Sequence, residues 1–337
     1  MNKILTIAIP TKNREKYLIE TINSIIRQKL FFNIEVVVCN NKSDDTTHIS
    51  MQKYSEYENI RYYQNEQALS IDDNMIKVAS LVNTKYFLWL GDDDFIVKDG
   101  LSKILNYIEK EEYDFVLLSA TRVSEDLSVN LGCNLETSLK NIKIDNNTIY
   151  KSPKDFFLNH CFHMPFGTLI VKKELYDLVL KENKRFRGTS HAYSGLVFDY
   201  LSKKYSMTKS VKILLIREEL IMLRQVEKTW KNTATKIMMQ EIPEWFLLFD
   251  NFYENEVKKI LTYYLNLQFN FKSLISRRIN GLISLRNYTY FTKYASFKQK
   301  IKYILVCFLP VLIIKENIPA PCVRIPKVSP NRWTENR

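Results

Sequence analysis

The stretch YFLWLGDDDFIVKDGL, residues 86–101, runs from five apolar residues into three consecutive aspartates and on to the start of a helix. Gly91 and aspartates favour turns, so a solvated turn is the ordinary reading of the triplet. Yet each carboxylate raises its neighbours' cost of ionising unless a cation sits among them. What flanks the triplet decides between the two. Behind it, YFLWL is a buried strand. Ahead of it, Leu101, Ile104, Leu105 and Ile108 fall on one helical face.

Working outward, the same alternation repeats. ILTIAI (4–9) is a strand, followed by Leu18, Ile22, Ile25 and Ile26 on one helical face. IEVVVC (34–39) is a second strand, and DDTTHISMQKYSEY (44–57) suits a capped helix. IRYYQ (60–64) reads as a strand, DDNMIKVASLV (72–82) as a helix, and DFVLLS (114–119) as another strand. Continuous apolar strands alternating with amphipathic helices predict an α/β fold, a mostly parallel sheet covered on both faces. Ligands of such sheets bind just beyond the carboxyl ends of the strands. Pro10-Thr11, Asn40-Asn41 and the aspartate triplet all lie at such ends. The spacing therefore gathers them on one rim, and the triplet is read as functional.

Residues 121–150 are polar and weakly patterned and read as a loop or irregular excursion. FGTLIVKKELYDLV (166–179) reads as strand then helix, SGLVFDYLSKKY (194–205) as a helix and VKILLI (211–216) as a strand. Helical periodicity dominates from about 234. Five of the nine prolines fall in the last 28 residues, so the end is read as extended. There are no internal repeats.

The chain has 337 residues, 46% hydrophobic and 26% charged, as an ordinary globular protein does. Its net charge of +12 is unevenly placed: residues 251–337 carry 15 Lys and Arg against 4 Asp and Glu, a net of +11. Such an end suits a membrane surface or nucleic acid. Nucleic acid is the poorer reading, because no recognised motif accompanies the charge and the aromatics are not interleaved with it. The 5 cysteines are widely spaced with no CxxC pair, which fits neither a zinc site nor a disulfide framework and favours a reducing compartment. MNKILTIAIP imitates the start of a signal peptide but lacks a small-residue cleavage site, so a buried strand explains it better. No stretch reaches the apolar length of a membrane span, about 20 residues.

Adjacent carboxylates on a loop are hard oxygen ligands for Mg²⁺ or Mn²⁺, and such an ion neutralises a diphosphate leaving group. TIAIPTKNREKYLIETINSIIRQ, IEVVVCNNKSDDTT, ALSIDDNM and YFLWLGDDDFIVKDGL together resemble family 2 glycosyltransferases of the GT-A fold, in their usual order over roughly residues 4–110. GTLIVKKELYD and FRGTSHAYSGLVFDYL resemble the acceptor half of O-antigen and capsule sugar transferases of the abequosyltransferase-like group. The resemblance implies a nucleotide-sugar-binding half over 1–120, an acceptor-binding half over 121–233, and a helical, basic region over 234–337.

It also implies roles residue by residue. Pro10, Thr11 and Arg14 match the first nucleotide-binding segment. Asn40 stands where many relatives carry an aspartate that accepts from the uracil N–H. Asp72 and Asn74 match the segment near base and ribose, with Ser70 replacing a usual glycine. Asp92 and Asp93 match the nucleotide-sugar side of the DxD region, with Gly91 where relatives often begin with Asp. Asp93 or Asp94 is the metal ligand.

An inverting transferase also needs a base for the acceptor hydroxyl. Relatives often supply an Asp from an ED pair, whereas Glu125-Asp126 falls too early here. His191 in GTSHAYSG is the leading candidate and Asp199 the second. His160 and His163 flank Cys161 at metal-like spacing, but nothing completes a site, so they are read as packing. Trp89 is read as core, and buried packing is also the ordinary reading of Trp230 and Trp245. Lys298, Lys300 and Lys302 precede a 12-residue apolar run that suits either an interfacial segment on anionic lipid or a core helix.

The expected activity is metal-dependent transfer from a nucleotide-sugar, UDP before CDP or dTDP, to a polyprenyl-linked oligosaccharide. The expected place is the cytoplasmic face of the membrane, held peripherally. A sugar-phosphate nucleotidyltransferase is the alternative enzyme, but PTKNREKY lacks the Gly-rich phosphate loop it would need. A catalytically degenerate partner in a polysaccharide synthesis complex is the non-enzymatic alternative.

Overall fold

The computed structural model describes residues 3–135, 146–182, 184–189, 191–226 and 234–309. They fall into two compact units, one reaching residue 226 and the other spanning 227–327. Trp230, Cys322 and the proline-rich end lie outside the described residues.

The first unit is built on one sheet in the order β3-β2-β1-β4-β9-β6-β10-β5. Strands β1 (Leu5–Thr11), β2 (Glu35–Asn40), β3 (Ile60–Gln64) and β4 (Tyr86–Trp89) run parallel. Strand β9 (Leu169–Lys172) is antiparallel to both β4 and β6 (Phe115–Ser124). Strand β10 (Ile213–Gln225) is parallel to β6, and β5 (Phe95–Ile96) closes antiparallel on β10. The sheet is therefore mixed. Because β6 and β10 point the same way as β4, all five strands β1, β2, β4, β6 and β10 end on one rim.

Helices α1 (Glu15–Ile26), α3 (Ile71–Ser80) and α4 (Gly100–Lys110) arise where apolar residues recur at helical spacing. Between them lies the short α2 (Thr47–Gln52). The buried Leu18, Ile22 and Ile25 of α1 join Ile104 and Leu105 of α4 in a core with Val36, Leu88 and Val116 of the strands. Further along the chain come α5 (Pro153–His160), α6 (Lys173–Glu182) and α7 (Ala192–Thr208).

The supposed excursion at 121–150 is a correction. Strand β6 continues to Ser124, β7 (Asn130–Cys133) pairs antiparallel with it, and β8 (Thr148–Tyr150) pairs with β10. NLGC carries no apolar alternation of its own; pairing with β6 makes it a strand. Likewise β10 does not stop at Ile216 but passes Arg217 and Glu219 through register shifts before Ile221. Charged residues at a bulge hide the continuation from any hydrophobic pattern.

In the second unit, helices Glu254–Gln268, Phe271–Ile279 and Phe297–Phe308 gather a separate core including Phe269, Leu274, Tyr303 and Val306. The last helix opens with a capping box: the Ser296 N–H donates to Gln299 Oε1 at 2.8 Å, and the Gln299 N–H to Ser296 Oγ at 3.4 Å. No helix among the described residues is long and apolar enough to cross a membrane.

Candidate active site

The turn after β4 is held from three sides. The Thr21 hydroxyl of α1 donates to the Asp92 carbonyl at 3.0 Å, and the Asp92 carboxyl faces the Thr11 hydroxyl and the Lys12 N–H at the end of β1. Arg14 pairs with Asp93 Oδ2 at 2.6 Å. The Arg224 N–H of β10 donates to Asp94 Oδ1 at 3.1 Å. Asp94 is buried between two glycines: a Cβ on Gly167 would lie 2.7 Å from Asp94 Oδ2, and one on Gly91 would collide with the same oxygen. Glycine at both positions is what lets this carboxylate sit there.

Three carboxylates in a partly buried turn disfavour one another's charge. Burial, and then Asp93, push the Asp92 carboxyl up to about 7. Burial and Asp93 also raise Asp94 well above the carboxylate range. Burial raises Asp93 too, opposed by the Arg14 and Arg224 guanidiniums. Fully ionised, the three carboxylates would carry more negative charge than Arg14 and Arg224 neutralise, so a bound cation would favour their ionised forms. Among the described residues, no three His, Cys, Asp or Glu side chains converge into a metal cage. That leaves one or two carboxylates of the triplet to share a cation with phosphate oxygens and water, the ordinary arrangement for Mg²⁺. The donor set fits a divalent cation on those terms.

Arg224 was not singled out in the sequence. It is buried, paired with Glu20 of α1, and sandwiched between the rings of Tyr17 at 5.0 Å and Phe95 at 4.7 Å. A lone charge in the strand LIMLRQ was the available signal. Gly167 was visible only as one glycine ahead of a strand.

The residues expected near the base turn inward. Asn40 is 0% exposed; its Oδ1 accepts from the Ser43 N–H at 2.9 Å and hydroxyl at 2.6 Å, and its Nδ2 donates to the Tyr62 hydroxyl at 2.8 Å. It shapes the loop after β2. Asn74 Oδ1 accepts from Asn65 Nδ2 at 2.8 Å, tying α3 to the end of β3. Asp72 Oδ2 accepts the Gly188 N–H at 2.7 Å, and Arg187 lies 3.4 Å from Asp73. Helix α3 thereby grips the segment that leads to His191. Pro10 and Thr11 lie at the end of β1 beside Asp92.

His191 is the N-cap residue of α7 and is half-buried. Its Nδ1 lies 3.1 Å from the Thr189 carbonyl, so donation there leaves the neutral ring's lone pair on Nε2. Its ring stacks on Tyr193 at 6.4 Å, Tyr193 meets Phe166 at 5.5 Å, and Phe166 precedes the Gly167 that abuts Asp94. That chain of contacts leads from His191 to the aspartate rim. Asp199 is buried on α7 and paired with Arg185, so it anchors the same segment and presents no surface to a substrate. His160 is buried with Nε2 2.7 Å from the Tyr150 hydroxyl, and His163 Nδ1 lies 3.0 Å from the Asn159 carbonyl. Both pack, as do Trp89 and Trp245.

A mixed sheet with an acidic turn at the end of its fourth strand, followed by a helical region, is the GT-A architecture of glycosyltransferases. The glycosyl transferase family 2 profile matches residues 6–176, and the chain belongs to that family. It is 28% identical over 221 residues to abequosyltransferase RfbV of Salmonella typhimurium, covering 59% of this chain and 65% of that one. It is 26% identical over 240 residues to the minor teichoic acid biosynthesis protein GgaB of Bacillus subtilis, covering 68% of this chain and 25% of that one. The chain thus spans less than two thirds of the length of these curated relatives. Among solved structures, residues 1–349 of Staphylococcus aureus TarS in complex with UDP-GlcNAc align with a TM-score of 0.57 at 16% identity over 90% of both chains.

Proposed function

We propose that the protein is an inverting glycosyltransferase that moves a sugar from a nucleoside-diphosphate donor to a hydroxyl of a lipid-linked oligosaccharide. The product would be a bacterial surface polysaccharide, made at the cytoplasmic face of the membrane. The observation that carries this reading is the acidic turn Asp92-Asp93-Asp94, bracketed by Arg14 and Arg224 on the rim where this fold binds its ligands. The names of the relatives support the pathway, and the UDP-GlcNAc bound by TarS supports a uridine donor.

Asp93, with Asp92 beside it, would hold Mn²⁺ or Mg²⁺, because Asp94 already accepts the Arg224 N–H and sits in the glycine cradle. Such a cation would neutralise the departing diphosphate. Arg14, released from Asp93, would meet a phosphate oxygen. His191 Nε2 takes the acceptor proton as that oxygen attacks the anomeric carbon from the face opposite the diphosphate. The bond from that carbon to the phosphate oxygen breaks, and the nucleoside diphosphate leaves with the electron pair. Asp72, Arg185 and Asp199 hold the segment that carries His191.

Calorimetric titration of UDP-, CDP-, dTDP- and GDP-sugars, with Mn²⁺ and then with chelator, tests the reading. One of these donors should bind, and metal removal should weaken it at least tenfold, about 1.4 kcal/mol. Equal affinity without metal would sink the role given to the aspartates.

A further inference from the structure

Helix Phe297–Phe308 of the second unit has two apolar faces. Tyr303, Val306 and Cys307 turn into the core. Phe297, Ile301, Leu305 and Phe308 turn outward and are 77, 41, 53 and 70% exposed. Their spacing of four, four and three residues places them on one stripe. At 3.6 residues per turn, Lys300 falls along one edge of the stripe, and Lys298 and Lys302 along the other. None of these three lysines is ion-paired to a carboxylate among the described residues. Lys302 Nζ lies 5.8 Å from the centre of the Phe271 ring, itself an exposed aromatic.

A surface helix ordinarily turns polar residues outward. Four large apolar side chains in a row, railed by cations, are instead the pattern of a helix lying in a membrane interface, with lysine stems reaching up to headgroups. A second copy of the chain docked on the same stripe by a two-fold axis would bring like-charged lysine rails together. Anionic lipid matches both the apolar face and the rails, and the net charge of +11 over residues 251–337 has the same sign requirement.

We propose that this outward face docks on an anionic lipid surface. The proposal deepens the reading of a lipid-linked acceptor and rests on it for its purpose, whereas the surface stands on the helix alone. On this proposal the described part of the segment, 297–308, would serve both sequence readings, with its inner face in the core and its outer face on lipid.

The test is cosedimentation of the full chain with phosphatidylglycerol/phosphatidylcholine vesicles. The double variant Phe297→Glu/Leu305→Glu should lose at least tenfold in binding. Its unfolding midpoint and donor binding should stay as in the parent, because both side chains are exposed. The triple variant Lys298→Gln/Lys300→Gln/Lys302→Gln should bind more weakly, and its binding should no longer fall steeply with salt. Unchanged vesicle binding by the double variant overturns the proposal, as does equal binding of the parent to pure phosphatidylcholine. A parent dimer that the double variant dissociates, with no vesicle binding, would make the occupant a second copy. Vesicle binding without donor binding would leave this surface standing and remove the enzymatic reading.

Discussion

Asp92 makes the stability of the metal-free protein depend on pH in a direction opposite to that of a paired surface carboxylate. Its carboxyl lies at about 7 in the folded protein against an ordinary 3.8. Between those values the folded state holds a proton that the unfolded chain has released, so stability falls as pH rises through the window. From 3.8 to about 7 is a little over three pH units, each worth about 1.4 kcal/mol, which bounds the loss at about 4 kcal/mol. Partial solvent access and coupling to Asp93 and Asp94 reduce it, and about 2 kcal/mol is expected. Asp92→Asn removes the titration but keeps the shape. Urea unfolding of parent and variant in chelator, at pH 4.5 and pH 8, cancels the groups that titrate alike in both chains. The variant should gain about 2 kcal/mol relative to the parent between the two pH values, roughly 4–8 °C in melting temperature. Mn²⁺ at pH 8 should narrow the difference, because a cation favours the ionised carboxylate. A constant difference across the window, or a parent that gains on the variant as pH rises, refutes the argument.

His191→Ala should lower turnover by about 10² to 10⁴ with donor affinity nearly intact, since a base acts on the acceptor proton and not on the nucleotide; normal turnover removes His191 from the mechanism. Gly167→Ala forces a side chain onto a φ of +97° and places its Cβ 2.7 Å from Asp94 Oδ2. It should cost about 2–4 kcal/mol in denaturant unfolding and weaken donor binding, and a loss below about 1 kcal/mol would mean that the Asp94 cradle is not a tight one.

Much of the first unit could be read from residue order alone. ILTIAI, IEVVVC and YFLWL are buried on both faces along most of their length, so they are nearly continuous apolar runs and stand out from the amphipathic helices between them. The rim position of Pro10, Thr11, Asn40, Asn41 and the aspartates followed, because a run of parallel strands puts consecutive strand ends together. Periodicity was silent on β7, β8 and the far half of β10. Those strands owe their conformation to a neighbour's backbone, and NLGC and REELIMLRQ carry no alternation that announces it.

The side-chain partners were decided only by the tertiary structure. Asn40 and Asn74 are the residue types that could meet a base, yet folding turns their amides toward Ser43, Tyr62 and Asn65. Asp199 could have been a base, and its pairing with Arg185 makes it an anchor. Arg224 lies 130 positions from Asp94, and the antiparallel pairing of β10 with β5, which begins at the residue after Asp94, brings its N–H to that carboxylate. Local pattern is set by which residues neighbour one another along the chain. A hydrogen bond between residues so far apart exists only once the sheet has closed, and so the aspartates could be read in the sequence while the partners that aim them could not.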